Sequence, residues 1–297
     1  RRWIYEVVVV GNSTMRDLVF GLDVQSIGEM PYKSLTETEV SQGSRATTAL
    51  NARAKDLGLR VFPEARVYGG PIVGCHVGAD LAAGLLAVGM DERDEVVMLV
   101  DVGTNTEVVV GNRHRMMAAS CPAGPAFEGG EITFGMPSYD GAVETVEIDR
   151  GRVNYRTIGG GDAQGICGSG LVDLLAQLRH SGRMSPLGAF RDGSSEFYFA
   201  PEKGMSLSRS DISALAQAKS ANYSGQFIVL RRYGIALEQM STLFLAGAFA
   251  NHIDVTNAVE IGFIANLPPD RVSKVGNASL EGATLMLISR KMRQTAE

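Results

Sequence analysis

The chain has 297 residues, of which 45% are hydrophobic and 21% charged, and a formal net charge of −5, the composition of a globular protein with a core of its own. Its basic residues are scattered, which speaks against a nucleic-acid footprint. No apolar run approaches the roughly 20 residues needed to span a bilayer, and no signal peptide opens the chain.

The three cysteines, Cys75, Cys121 and Cys167, are far apart and form no Cys-x-x-Cys pair. That argues against a zinc or iron–sulfur site held by this chain alone and against a disulfide framework, and makes a reducing cytoplasm the default compartment. The 35 glycines exceed the roughly 7% average and cluster beside apolar runs. The chain opens Arg-Arg-Trp and enters a strand-like run almost at once, so it is expected to be a piece of a longer protein.

In chain order, the β-branched run Val7–Val10 predicts a buried strand, followed by a turn with an N-cap at Gly11–Thr14 and a helix over Met15–Phe20. Residues 21–48 read as loop, Ala49–Leu59 as a short amphipathic helix and Arg66–Tyr68 as a strand. A tightly packed helix follows over Gly78–Leu86, ended by Gly89. Val96–Asp101 predicts a buried strand, Gly103–Thr106 a tight turn, Glu107–Val110 and Arg115–Ala119 two further strands. Val143–Ile148 and Arg152–Ile158 form a hairpin about Asp149–Gly151. Leu171–Leu178 is a helix opened by a Gly-rich loop, and Ser181–Gly204 is the most loop-like stretch. A long helix spans Asp211–Tyr233, capped by Ser210 or Asp211; Thr242–Ala246 is a buried strand and Gly282–Arg290 a closing helix. Hairpins followed by helices that cross to buried strands predict a mixed-sheet α/β fold.

Several constellations carry potential chemistry. In Asp101-Val-Gly-Thr-Asn-Thr106, Gly103, Thr104, Asn105 and Thr106 offer backbone N–H and hydroxyl donors suited to phosphate oxygens. Asp101 at the strand end can hold Mg²⁺ through water. We read this as a phosphate loop in preference to an ordinary capped hairpin. Gly165–Gly170 precedes a helix, so Gly168, Ser169 and Gly170 suit either an anion at the helix start or a plain tight turn. The small residues of Leu245-Ala-Gly-Ala-Phe249 follow a buried strand, where α/β folds place ligands, although they also suit close helix packing. In Ser120–Gly130, Glu128 could position water or metal beside a bound phosphate, or serve as a helix-start carboxylate. Cys121 in the same stretch reads as a small core residue. Lys219, on the long helix, is in reach of a nucleotide or is a solvated surface lysine. His76, His180 and His252 show no metal spacing.

Taken together and in this order, these segments resemble the actin, sugar-kinase and heat-shock-chaperone ATPase superfamily. The resemblance implies ribonuclease-H-like (actin-like) lobes, each built on a mixed five-stranded sheet flanked by helices. Within that superfamily, the strings Val-Gly-Asn-Ser-Thr-Met (10–15), Val-Gly-Ala-Asp (77–80), Asp-Val-Gly-Thr-Asn-Thr-Glu (101–107), Ala-Gly-Pro-Ala-Phe-Glu-Gly (123–129), Gly-Ile-Cys-Gly-Ser-Gly-Leu (165–171), Ala-Gly-Ala-Phe (246–249) and Val-Gly-Asn-Ala (275–278) are similar to the reductive activators of corrinoid-dependent enzymes. The similarity covers nearly the whole chain.

The resemblance implies that Asp101–Thr106 is the second phosphate loop. Gly247, Ala248 and Phe249 then belong to an adenosine-contacting strand end, and Lys219 to the helix beside adenine. It implies ATP and Mg²⁺ as cofactors, a [2Fe–2S] cluster only in an upstream domain, and one-electron reduction of a Co(II) corrinoid to Co(I). The partner is a corrinoid protein or corrinoid-dependent methyltransferase, and the assembly a homodimer in the cytoplasm. The first phosphate loop of the family lies outside the chain, so residues 1–95 are expected to form part of a first lobe and 96–297 the second. Two other readings stay open on the sequence: a sugar or acyl-phosphate kinase, for which no catalytic carboxylate in a sugar-binding loop stands out, and a catalytically silent scaffold.

Overall fold

A computed structural model describes residues 3–247 and 250–297. Contacts divide the chain into two compact units. One runs up to Glu95 and takes in Gly111–Ser120 and Asn277–Glu297; the other comprises Val96–Val110 and Cys121–Gly276.

In the first unit β1 (Glu6–Val9) leads into α1 (Ser13–Val19). Asn12 caps that helix, its side-chain oxygen accepting from the Met15 N–H at 2.9 Å. Residues 21–48, expected to be loop, contain two helices, α2 (Gln25–Gly28) and α3 (Leu35–Ser41). A reciprocal capping box starts α3: Ser34 Oγ accepts from the Glu37 N–H at 3.2 Å, and the Glu37 carboxylate accepts from the Ser34 N–H at 3.0 Å. The segment is tied down by a buried cluster around Arg16. Its guanidinium pairs with Asp17 at 2.6 Å and donates to Thr36 Oγ1 at 3.0 Å, Thr48 O at 2.9 Å and Gly70 O at 3.0 Å. A buried guanidinium is tolerable only when its donors are used in this way.

The helix expected over Ala49–Leu59 is instead β2 (Leu50–Arg53), which pairs antiparallel with β3 (Arg66–Gly69). Leu50 and Ala52 turn toward the protein and Asn51 and Arg53 outward. That period of two is hidden in a sequence of good helix formers, and pairing with β3 overrides the local preference. β3 lies between β1, to which it is parallel, and β2. Then α4 (Ala79–Ala87) follows, and Gly89 takes the left-handed conformation at φ 61°.

The second unit opens with β4 (Val97–Val102) and most of β5 (Asn105–Asn112), so the turn after β4 is tighter than expected and comprises Gly103 and Thr104 alone; β6 (Arg115–Pro122) falls mostly within Gly111–Ser120 of the first unit. β7 (Ala142–Asp149) and β8 (Arg152–Thr157) form the expected hairpin, with β9 (Gly165–Ile166) parallel to β7 on its other side. α5 (Gly168–His180) packs on this sheet. The stretch read as loop from Ser181 holds β10 (Glu196–Ala200), paired with β11 (Met205–Ser208). Next, α6 (Arg209–Tyr233) is capped by Ser208 rather than by Ser210 or Asp211. Ser208 Oγ accepts from the Asp211 N–H at 3.1 Å, and the Asp211 carboxylate accepts from the Ser208 N–H at 2.9 Å. β12 (Thr242–Ala246), α7 (Val255–Glu260) and β13 (Val272–Gly276) complete the unit.

The five-stranded sheet has the order β13-β12-β4-β5-β6, with β12 parallel to both β13 and β4. Val97–Val100 and Leu243–Ala246 are buried, as central parallel strands require. The chain is thus α/β with mixed sheets, one of them five-stranded, and flanking helices.

The closing helix expected over Gly282–Arg290 is two helices, α8 (Ala278–Ile288) and α9 (Arg290–Ala296), broken at an extended Ser289 that caps the second. Both belong to the first unit. There α8 crosses α4 so closely that a Cβ on Gly282 would stand 1.9 Å from Ala83 O. Among the described residues no helix is long and apolar enough to cross a membrane.

Candidate nucleotide site in the second unit

β4 and β12 run parallel with Asp101 opposite Ala246, so the chain leaves both strands at the same end of the sheet. Crevices outside the carboxyl ends of parallel strands are where open α/β sheets bind ligands. Three chain segments meet there. Gly103 and Thr104 turn the chain from β4 into β5, with Gly103 N–H donating to Asn105 O at 3.2 Å. Gly247, at φ 123°, follows β12, and its N–H donates to Gly276 O at 3.0 Å. A Cβ at position 247 would lie 2.4 Å from Val102 O; only glycine lets the end of β12 sit against the residue that precedes the turn.

The third segment carries Glu128. The hydroxyl of Thr104 donates to Glu128 Oε2 at 2.5 Å, and the Gly124 N–H donates to Thr104 O at 2.8 Å. A Cβ on Gly103 would be in ordinary contact with Glu128 Oε1 at 3.8 Å, which places the two segments side by side. Glu128 ends a three-residue 3-10 turn, Ala126–Glu128. A turn of that length has no macrodipole to speak of, so the helix-start account of Glu128 does not hold; Thr104 is its partner.

Asp101, Gly103, Thr104, Glu128 and Gly247 are therefore assembled by three connected segments. Thr104, Asn105 and Glu128 are exposed and Asp101 is half-buried. Neither 102–112 nor 123–130 contains a lysine or arginine. The group offers two carboxylates, a hydroxyl and an amide with no basic side chain among them. A polyphosphate placed there needs a divalent cation to offset the repulsion, and carboxylates that act through a hydration shell are the donor set that suits Mg²⁺. Among the described residues no three His, Cys, Asp or Glu gather to hold a metal.

The remaining candidates are placed differently. Thr106 lies inside β5, fully buried, with Oγ1 lacking a hydrogen-bond partner, and faces the interior rather than the turn. Gly168, Ser169 and Gly170 are not a loop but the buried first turn of α5. A Cβ on Gly170 would stand 2.3 Å from Val143 O, so that glycine serves close packing of α5 on β7. The turn is connected to the Glu128 segment indirectly: Met136 N–H donates to Ile166 O at 3.0 Å, and Gly129 packs against Met136. Lys219 lies on α6 beside Gly262, its Nζ 3.4 Å from where a Cβ would be. It lines cavities of about 170 and 340 Å³ formed by α5, α6 and the chain around Gly262. Ala248 and Phe249 lie outside the described residues.

Cys121 packs against Gly225 of α6, where a Cβ would be only 2.2 Å from its Sγ. Burial, with Glu107 adding to it, pushes its thiol pKa up, the reverse of an activated nucleophile. A cavity of about 480 Å³ lies elsewhere, lined by Met98 at the start of β4, by Phe227 and Leu230 of α6, and by Gly234–Glu238 before β12; its apolar walls carry none of the groups assembled above.

The sequence did not single out the residues behind this arrangement. Phe127 packs on Phe263 with ring centroids 4.7 Å apart, and Asn222 and Gln226 hold the Phe263 carbonyl. Their spacing of four on one helix is visible in the sequence, but nothing there says that the face is buried.

Comparison with known proteins agrees with this architecture. Residues 95–297 match the family model described as the C-terminal domain of RACo, the ASKHA domain, and residues 1–93 match the RACo middle region. The chain is 33% identical over 312 residues to the corrinoid activation enzyme RamQ of Eubacterium limosum, covering 97% of this chain and 51% of that protein. It is 23% identical over 301 residues to the [Co(II) methylated amine-specific corrinoid protein] reductase of Methanosarcina barkeri, covering 94% of this chain and 53% of that one. Among solved structures, a reductive activator for corrinoid, iron–sulfur protein superposes with a TM-score of 0.90 at 33% identity, covering 99% of this chain and 48% of that chain. The chain thus spans about half the length of each of these relatives.

Proposed function

Because the chain belongs to the RACo family, across its middle region and its C-terminal ASKHA domain, we propose that it is the ATP-binding part of a reductive activator. In this reading it drives one-electron reduction of a Co(II) corrinoid, carried on a partner corrinoid protein or methyltransferase, to Co(I). The observation that carries the reading is the pairing of Thr104 with Glu128 beside Asp101 and Gly247, at the carboxyl end of two parallel strands.

In this reading Gly103, Thr104 and Asn105 receive phosphate oxygens, Asp101 orients the hydration shell of Mg²⁺, and Glu128 holds Thr104 and a water in place. Bound Mg-ATP supplies the free energy for a reduction that is uphill on its own. Differential affinity for nucleotide in two conformations is what can transmit that energy to a partner. In this reading the electron is supplied by a [2Fe–2S] cluster outside these 297 residues. Residues up to Glu95, with Gly111–Ser120 and Asn277–Glu297, act as part of a first lobe and the rest as the second, and the protein works as a cytoplasmic homodimer.

The reading is tested by binding of a fluorescent ATP analogue to the chain with and without Mg²⁺. We expect saturable, Mg²⁺-dependent binding that Asp101→Ala weakens at least about tenfold without loss of the folded circular-dichroism spectrum. Equal binding by the variant refutes the role given to Asp101.

A further inference from the structure

Asn222 and Gln226 are each about 1% exposed and, four residues apart on α6, share one face of the helix. Two primary amides can be buried only if their hydrogen bonds are made inside the protein. Here they converge on one short stretch. Asn222 Nδ2 donates to Phe263 O at 2.7 Å. Gln226 Nε2 donates to the same carbonyl at 3.1 Å and to Asn222 Oδ1 at 2.9 Å. Gln226 Oε1 accepts from the Ala265 N–H at 2.8 Å. That last bond fixes the orientation of the amide, since a backbone N–H can face only its oxygen.

The grip extends to the candidate site in two steps. The buried Phe263 ring packs on the buried Phe127 ring, tilted at 58° with centroids 4.7 Å apart. Phe127 directly precedes Glu128, the acceptor of the Thr104 hydroxyl. On α6, Lys219 lies one turn before Asn222, beside Gly262. Leucine and methionine at 222 and 226 could fill the same volume, but apolar contacts leave neighbouring segments free to slide, whereas three directed bonds between the two segments fix one register.

We infer that Asn222 and Gln226 are positioning residues: through Phe263 and Phe127 they set where Glu128 stands against Thr104. The inference rests on the proposed nucleotide reading for its consequence in catalysis, although not for the mechanical link itself. The link makes α6, the 263–265 stretch and the 126–128 turn one piece.

The test uses the whole chain with Gln226→Met, which keeps volume and removes both donor and acceptor, and Phe263→Leu, which keeps the amides and removes the aromatic brace. Amide hydrogen exchange reads the link without any ligand. Local opening is set by the contacts of each segment, so we expect Gly124 and Gly130 to exchange at least about tenfold faster in both variants, with Met98–Val100 of β4 unchanged. Unchanged exchange at Gly124 and Gly130, or a uniform rise that includes β4, overturns the inference. Turnover then reads the consequence. Misplacing one catalytic group lowers the chemical step more than binding, so kcat for ATP should fall about tenfold with KM within about twofold, and Gln226→Met combined with Phe127→Leu should be no worse than the poorer single variant. A loss confined to KM, or additive losses, also overturns it. A wild-type chain that neither binds nor hydrolyses ATP refutes the nucleotide reading, while the exchange result still decides the link.

Discussion

Thr104 and Glu128 are 24 residues apart in sequence, yet the threonine hydroxyl donates to the glutamate carboxylate at 2.5 Å. This bond joins the turn after β4 to the Ser120–Gly130 segment, two stretches that local sequence presents as separate motifs. Both side chains are exposed, so the pair adds little to stability and its value lies in what it positions.

Thr104→Val and Glu128→Gln should therefore each lower ATP turnover by about tenfold or more, with thermal midpoints close to wild type. Because each acts through the other, the double variant should be little worse than either single one. Steady-state kinetics check this, and strictly additive losses contradict the pairing.

Gly247→Ala tests the packing that brings the end of β12 to the phosphate turn. The backbone there, at φ 123°, is one that side chains rarely adopt, and the added Cβ meets Val102 O at 2.4 Å. Strain and overlap together should destabilise the second unit by about 2–4 kcal/mol, read from urea unfolding. A change below about 0.5 kcal/mol shows that the strand end relaxes freely.

How much of this was legible in the sequence depends on how local the signal is. The runs Val97–Val100 and Thr242–Ala246 announced buried strands because a β-branched and leucine-rich stretch bounded by glycine suits little else. Local sequence marks Gly247 as a small residue at a strand end, and the family resemblance as part of an adenosine-contacting strand end; its contact with Val102 needs β4 and β12 to be neighbours, and parallel pairing leaves no local mark. β2 was mistaken for a helix because its alternation spans four residues rich in helix formers, and α3 was missed although Ser34-Leu-Thr-Glu37 is a capping-box pattern. The Phe127–Phe263 contact joins residues 136 positions apart, and no period or spacing foretells it.

The missed α3 yields a direct check. Ser34→Ala removes the acceptor for the Glu37 N–H and should cost about 1 kcal/mol, again read from urea unfolding. No measurable loss shows that the Arg16 cluster holds α3 without its cap.

Asp173 of α5 gives a pH prediction. Burial raises its carboxyl above the ordinary value, against bonds donated by Asn257 and the Val146 N–H that lower it, and Asp254 raises it further. The folded chain thus holds this proton more tightly than the unfolded chain. Its contribution to stability is fully present below the unfolded pKa of about 3.9 and is lost as pH rises through the raised folded value. Asp173→Asn lacks that loss, so its destabilisation relative to wild type should shrink between about pH 4 and pH 7. Unfolding midpoints at the two pH values decide; a gap that widens contradicts the sign.

The central claim, that nucleotide held at Asp101 and Thr104 drives corrinoid reduction, is tested most directly by cobalt(I) absorbance. A partner corrinoid protein in the Co(II) state is mixed with the complete activator and an electron donor, with and without Mg-ATP. The Co(I) band should grow only with Mg-ATP and be lost in Asp101→Ala. Equal formation of Co(I) without ATP, or in the variant, contradicts it.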